Sequence, residues 1–173
     1  MAVIPVVINN AIVRRNGDNI LQGIASVTLP KLSKKSESLE AFGVAGTVDV
    51  PVESHYEAMT TNLKFVNMTQ DAAMDDGEVL NLNIEAAIQV VDKETHKTNK
   101  IVTLIADIKG MIKEENFGDL SSGGKAETEI VIATTYYKLT IDGKEIFELD
   151  VLNMVDRKNT KEINAAIKAA IGL

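Results

Sequence analysis

The sequence has no cysteine and no tryptophan, and aromatic residues make up only 4% of its 173 positions. Without cysteine there is no disulfide framework, no thiolate nucleophile and no sulfur-ligated metal. With so few rings the core has to be aliphatic, packed from Val, Ile, Leu and Met. Histidine is scarce as well: His55 and His96 each sit in a polar stretch that reads as solvated loop, without a partner that would complete a triad or a metal site. No apolar run is long enough to span a bilayer. Residues 1–13 are apolar, but no basic residue precedes them and Pro5, Asn9 and Asn10 interrupt them, which is not the pattern of a secretory signal. A cytoplasmic product with no cofactor and no membrane binding is expected.

What is present fits one domain over residues 1–173, with 45% hydrophobic residues to build its core. The net charge of −7 argues against general affinity for nucleic acid or an anionic membrane. The charge is unevenly spread. Arg14, Arg15, Lys31, Lys34 and Lys35 against Asp18 give residues 1–35 a balance of +4, leaving −11 for the remainder. Two readings of that asymmetry stand: an accident of composition, and copies that meet end to end through opposite charges.

The strongest pattern lies in residues 80–113. Leu80, Leu82, Ile84, Ala86, Ile88 and Val90 alternate with Asn81, Asn83, Glu85 and Gln89. After a polar bend at 93–100, Val102, Leu104, Ala106, Ile108 and Ile112 oppose Thr103, Asp107 and Lys109. A period of two marks a strand with one apolar and one wet face, and two such runs around a polar bend make an antiparallel hairpin. A second long hairpin is expected over 126–155, with a strand at 127–141, the Asp142–Gly143 turn, and a return in which Phe147, Leu149, Val151 and Val155 oppose Glu148 and Asp150.

Around these hairpins the chain reads as an extended arm and turn over 1–19, with Asn16 and Gly17 in the turn, and a strand over 20–29 stopped by Pro30. Residues 31–40 fit a solvated strand or a loop, 42–52 a short bent strand, and 58–67 another strand. Residues 69–74 suit a short helix, capped by Thr69 with Asp71 in its first turn and ended by Asp75, Asp76 and Gly77. A flexible connection is expected over 114–125. An amphipathic helix is expected over 160–171, with Asn159 as N-cap, Glu162 three positions on, and Ile163, Ile167, Ala170 and Ile171 on one face. The fold class is mainly β: a small antiparallel barrel or sandwich with long hairpins, one short helix and a C-terminal amphipathic helix.

Reaction chemistry is not supported, and no catalytic, cofactor-binding or metal residues are assigned. Residues 118–125, GDLSSGGK, resemble a phosphate loop, but Asp119 stands where the first glycine belongs and Ala126 where Ser or Thr should follow the lysine. Asp71, Asp75, Asp76 and Glu78 lack the spacing of a calcium loop. Glu127 and Glu129 share one face of a strand, which is not an acid–base pair.

The opening MAVIPVVINNAIV, the turn at Asn16 and Gly17, the run LQGIASVTLP over 21–30, GVAG at 43–46, DVPV at 49–52 and the ending IKAAIGL at 167–173 resemble the major tail tube proteins of contractile-tailed phages and phage-tail-like bacteriocins. That resemblance implies a small β-barrel or sandwich with a flanking helix. In proteins of that family six copies form a ring, rings stack into a hollow tube inside a contractile sheath, and the inner strands of all six copies join around the channel; the resemblance implies the same here. It also implies assembly in the bacterial host cytoplasm into a virion tail or a released tail-like particle, with sheath, baseplate and tail-terminator proteins as partners. DNA would transit the channel without specific binding in a phage, whereas in a bacteriocin or injection device the tube punctures an envelope. In such a tube Asn83, Glu85, Gln89, Asp107, Glu127 and Glu129 are the channel-facing candidates; periodicity alone does not choose between channel, solvent and sheath. Arg14 and Arg15 are candidates for seating one ring on the next, with a solvated turn as the alternative. A secretion-system tube subunit and a closed barrel for a small apolar ligand are the competing readings, the second disfavoured by the scarcity of aromatic residues.

Overall fold

The computed structural model describes residues 3–173 apart from Asp18, Ala41, Phe42, Val44, Asp75, Asp76, Thr95 and Asn99. Its strands are β1 (Val3–Arg15), β2 (Asn19–Ile20), β3 (Ile24–Thr28), β4 (Lys34–Leu39), β5 (Val48–Tyr56), β6 (Met59–Phe65), β7 (Leu80–Asp92), β8 (Lys100–Asn116), β9 (Thr128–Ile141), β10 (Lys144–Asp150), β11 (Val155–Lys158) and β12 (Lys161–Glu162); a single-turn 3-10 helix spans Gln70–Ala72, and one helix, α1, spans Ala165–Ala170. The alternation of the long hairpins becomes burial. Leu80, Leu82, Ile84, Ala86, Val90, Val102, Ala106 and Ile108 are buried, while Asn81, Thr103 and Lys109 are exposed.

The main sheet is antiparallel and runs β12-β11-β10-β9-β8-β7-β1-β2. Strand β9 forks it: residues 128–134 pair with β6, which carries β3, and residues 136–141 pair with β10. One core joins Leu63 and Phe65 of β6 to Val13 of β1, Leu82 of β7 and Ile108 of β8. Strands far apart in pairing order therefore share a core, so the sheet curls. The strands are also offset in one direction: β7 and β8 pair as far as Val90–Lys100, whereas β8 and β9 begin at Leu104–Ile141 and continue to Asn116–Glu129. Such a stagger is what bending a sheet toward a barrel requires.

The curl does not close. No pairing joins β1 to β3, and an apolar groove of about 680 Å³ runs between them, lined by Ile12, Ile20, Ile24 and Val27 among others. The mainly β, antiparallel fold expected as a barrel or sandwich is thus present as an open, curled sheet, without a closed barrel among the described residues.

Several local expectations change for identifiable reasons. The extended N-terminal segment is a full strand of the main sheet: β1 pairs with β7 from Val3–Asp92 to Arg15–Leu82. The strand expected over 20–29 splits at Gly23, whose φ of +78° turns the chain from β1 toward β6. The bent strand expected over 42–52 lies instead at β5; Phe42 and Val44 lie outside the described residues. Thr69 makes no capping bond, and its hydroxyl is buried without a hydrogen-bond partner among the described residues. Asp75 and Asp76 lie outside the described residues. The second hairpin stops at Asp150, whose carboxylate accepts the N–H groups of Leu152 and Asn153 and so turns the chain before Val151 and Val155 can continue the strand. Asn159 does not cap a helix. It and Thr160 have φ of +50° and +65° in a tight β11–β12 turn, and Glu162 belongs to β12. The helix is reduced to Ala165–Ala170, with Ile167 half-buried and Ile171 exposed.

Strands β4 and β5 form a separate two-stranded sheet. It is tied to the main sheet at Asp156 of β11, a carboxylate only 2% exposed, which accepts the Ser54 hydroxyl at 2.8 Å and the Tyr56 hydroxyl at 3.2 Å. A buried carboxylate needs such donors. Burial first, and then the charge of Asp156, push the Tyr56 phenol up to about 12. Below pH 10 that phenol is protonated in both folded and unfolded chains. Between 10 and about 12 only the unfolded chain ionises, so stability falls as pH rises through that window.

Two predictions follow from this packing. In thermal melts across the alkaline range, Tyr56→Phe should remove part of the loss between pH 10 and about 12, leaving the share from Tyr136 and Tyr137, whose phenols burial also raises. Gly110 is buried in β8, and a Cβ there would lie 2.2 Å from the Ala133 carbonyl oxygen and 2.8 Å from Ile132 Cγ2. Gly110→Ala is expected to cost about 3 kcal/mol in chemical denaturation, while Gly143→Asn in the open β9–β10 turn should cost far less.

Candidate channel and assembly surfaces

Following pairing partners across the sheet gives one continuous row. Arg14 on β1 stands opposite Asn83 on β7, Asn83 opposite Asp107 on β8, and Asp107 opposite Lys138 on β9. Lys138 stands opposite Glu148 on β10, Glu148 opposite Arg157 on β11, and Arg157 opposite Glu162 on β12. Apart from Asn83, charge alternates along the row. Directly opposed side chains in a sheet are close enough to interact, and two of these pairs are bonded to each other. Asn83 Nδ2 donates to Asp107 Oδ1 at 2.7 Å and an Arg157 guanidinium N–H donates to Glu148 Oε2 at 3.0 Å.

Neighbouring groups complete the network. Arg14 reaches Glu85 at 2.8 Å and Lys138 reaches Glu145 at 3.0 Å. The Tyr136 hydroxyl donates to Glu148 Oε1 at 3.0 Å, and Lys109 lies over the Tyr136 ring at 5.0 Å. The hydrogen bond to Glu145 raises the Lys138 ammonium above its ordinary value, with Glu148 and Asp107 adding to it. Burial raises the Tyr136 phenol, and Glu148 raises it further. Lys168 pairs with Glu162 and holds that carboxyl below its ordinary range.

Of the channel-facing candidates, Asn83, Glu85 and Asp107 come together in this network. Gln89 shares their strand face farther along β7, where its amide donates to the Thr98 carbonyl at 3.2 Å. The other two do not join them. Glu129 sits on the β6 half of β9, accepting from Asn62 at 3.2 Å with Lys64 at 3.8 Å, and Glu127 is exposed just ahead of β9. Arg14 is engaged with Glu85, whereas Arg15 has no ion-pair partner among the described residues. Sequence reading put Glu148 on the polar face of the second hairpin without joining it to the channel candidates, and missed Tyr136, Lys138, Glu145 and Arg157. Alternation along β9 changes phase at Thr135, where the β8–β9 register shifts, so Ile130, Ile132 and Thr134 point inward before it and Tyr137 after it. Adjacent Tyr136 and Tyr137 are the trace of that shift.

A second surface is the outer edge of β1. Strand β2 covers it only at Arg14 and Arg15, leaving residues 3–12 unpaired on that side among the described residues. Ile4 is 47%, Val6 60% and Ile8 59% exposed. No group of three or more metal-ligating side chains is present among the described residues, and no helix there is long and apolar enough to cross a membrane.

An open, curled sheet with a self-paired polar face and one bare apolar edge is the architecture of a structural building block. Residues 5–172 match the family model described as phage tail tube protein FII, and the chain belongs to that family. It is a structural subunit of a phage-type tail tube and not an enzyme. The chain is 28% identical to the tail tube protein of Escherichia phage P2 over 145 residues, covering 80% of this chain and 81% of that protein. It is 25% identical to the major tail tube protein of Serratia phage KSP20 over 159 residues, covering 91% of each. In fold it is similar to a chain of the sheath/tube terminator structure of the PVC extracellular contractile injection system, with TM-score 0.51 and 14% identity over 79% of this chain and 97% of that one. A chain of the PVC sheath–tube complex gives TM-score 0.50 at 14% identity, over 79% of this chain and 91% of that one.

Glu148 faces both Tyr136 and Arg157, so Glu148→Gln tests the network directly. The expected cost is about 1 kcal/mol in denaturant titration. In ultraviolet titration the Tyr136 phenol should ionise at lower pH than in the parent, though still above an ordinary tyrosine because burial remains.

Proposed function

We propose that six copies of this chain close into a ring and that rings stack into the hollow inner tube of a contractile device. The observation that carries this reading is the outer edge of β1: residues 3–12 have no strand on that side among the described residues, on a staggered sheet that stops short of closure. A bare edge of this kind invites another chain, and β1 between residues 3 and 13 has only Pro5 and no charge to discourage it. A neighbour seated there would supply the missing backbone partners and cover the apolar groove beside β3.

In such a ring the polar face bearing Asn83, Glu85, Gln89 and Asp107 lines the channel, with Glu127 and Glu129 nearer one mouth. The negative balance of the chain suits passage of DNA without adhesion in a phage, and the same wall serves envelope puncture in a tail-like particle. Arg15, at the β1–β2 turn, is placed to meet a stacked ring. The tube is sleeved by a sheath and ended by a terminator, as the likeness to PVC components supports, and is assembled in the host cytoplasm before it forms part of a virion tail or tail-like particle.

Electron microscopy of the concentrated protein should give six-fold rings or tubes, and strict monomers under all conditions, including with sheath and baseplate proteins present, would refute the proposal. Val6→Lys with Ile8→Lys should leave the circular dichroism spectrum unchanged yet weaken self-association at least about tenfold, ~1.4 kcal/mol at the joint.

A further inference from the structure

We infer that the cleft between β5, the β10–β11 turn and α1 is a binding site for a primary ammonium group on a short aliphatic stem. The cleft holds about 320 Å³, at the small end of the roughly 300–1,000 Å³ of ligand sites. None of its lining residues belongs to the polar row, the bare edge of β1 or the groove beside β3. Its wall is lopsided in charge. Leu149, Met154, Val155 and Ile167 supply apolar surface, Glu53, Asp150 and Asp156 supply carboxylates, and no lysine or arginine is among the lining residues. Asp156 is only 2% exposed, and its carboxylate meets the uncharged hydroxyls of Ser54 and Tyr56 with no ion pair among the described residues. A charge buried in this way is stabilised by a counter-charge that the chain itself does not supply.

Asn164 adds an orphaned acceptor to the same wall. It too is 2% exposed, and its Nδ2 donates to the Met154 carbonyl at 2.7 Å, leaving Oδ1 buried without a hydrogen-bond partner among the described residues. Buried polar atoms are almost always satisfied, so this oxygen calls for a donor. The Ile163 N–H donates to the Asp156 carbonyl at 2.8 Å, which holds the next residue, Asn164, beside Asp156. An ammonium has three donors and no acceptor. It can donate to Asn164 Oδ1, take up acceptor capacity that Asp156 keeps beyond its two hydroxyl donors, and neutralise that carboxylate, while its methylenes lie on the apolar wall. Hydrogen bonds between charged partners are the strong kind. A metal ion fits less well, because no group of three ligating side chains is present among the described residues. Ser54 and Met154, one from each wall, hold left-handed φ of +55° and +53°, conformations that residues other than glycine keep only where their surroundings fix them.

The test is calorimetric titration of the full chain with n-butylammonium chloride, beside n-butanol and sodium butyrate as neutral and anionic counterparts. Butylammonium should bind saturably and at least about tenfold more tightly than butanol, and butyrate should not bind. Amide shifts in nuclear magnetic resonance should be confined to residues 54–56, 154–156 and 164–167. Nα-acetyl-lysine N-methylamide separates two sources of the same group: tighter binding of this probe points to a lysine side chain of another chain, and tighter binding of butylammonium to a free small amine. Asp156→Asn keeps an acceptor for Ser54 and Tyr56 and should weaken binding at least about tenfold. Ile167→Trp, on the half-buried face of α1, should fill the cleft and abolish binding with an unchanged circular dichroism spectrum; should Asp156→Asn fail to fold, this variant decides alone. No saturable binding, equal binding of butylammonium and butanol, shifts spread over carboxylates elsewhere, or binding unchanged by Ile167→Trp would each overturn the inference.

Discussion

Residues 3–12 of β1 have β7 on one side and no strand on the other among the described residues, and most of the architecture can be understood from that imbalance. A closed barrel removes edges by bringing its first strand to its last. Here β1 and β3 approach across the groove without pairing, because Gly23 diverts the chain to β6 and β6 commits β3 to the β9 side. The core is completed by curling, with Leu63 and Phe65 reaching Val13, so the chain is held together without the edge being satisfied. The fold is stable by burial and unfinished by hydrogen bonding.

Long strands with a simple two-residue period carry a specific hazard. Slipping one residue turns the apolar face to water and is strongly resisted, but slipping two keeps every side chain on its proper face. The charged row supplies the missing discrimination. Sliding β7 along β8 by two residues one way would set Glu85 opposite Asp107, and sliding β8 along β9 would set Lys109 opposite Lys138. Each exposed pair adds little by itself, yet the wrong registers replace attraction with like-charge opposition at several strands together. Close packing at Gly110 against Ala133 pins the β8–β9 pair in the same register.

This division explains what could be read from the chain. Periodicity identified β7, β8, β6 and the inward residues of the first long hairpin, with Phe147 and Leu149 of the second, since burial on one face leaves its mark every second residue. It did not show that residues 3–15 join β7, because a nearly uniform apolar run has no phase to reveal a partner. It also lost the face of β9 beyond Thr135, where a register shift reverses the phase, and with it Tyr136 and Lys138. At the C-terminus, the capping pattern at Asn159 and Glu162 lost to a two-residue hairpin. Left-handed Asn159 and Thr160 satisfy the chain locally before a helix nucleates, and nucleation is the costly step. Asn83, Glu85 and Asp107 were legible as one polar face, but their cationic partners come from strands distant in sequence.

The pairing within that face also bears on how a tube wall would treat its cargo. A cation that grips a nucleic-acid backbone does so by replacing released counterions, and its hold grows with each phosphate neutralised. On the proposed channel face Arg14, Lys138 and Arg157 are each occupied by a carboxylate of the same chain, and Lys109 lies over Tyr136. To bind a passing phosphate, three of them would first have to give up an ion pair. Lys93, Lys97, Lys100, Lys144, Lys158 and Lys161 are exposed, but they lie at or beside the turns between strands, off this row. Committing the cations of the wall to carboxylates of the same chain is what a surface that slides past its cargo requires.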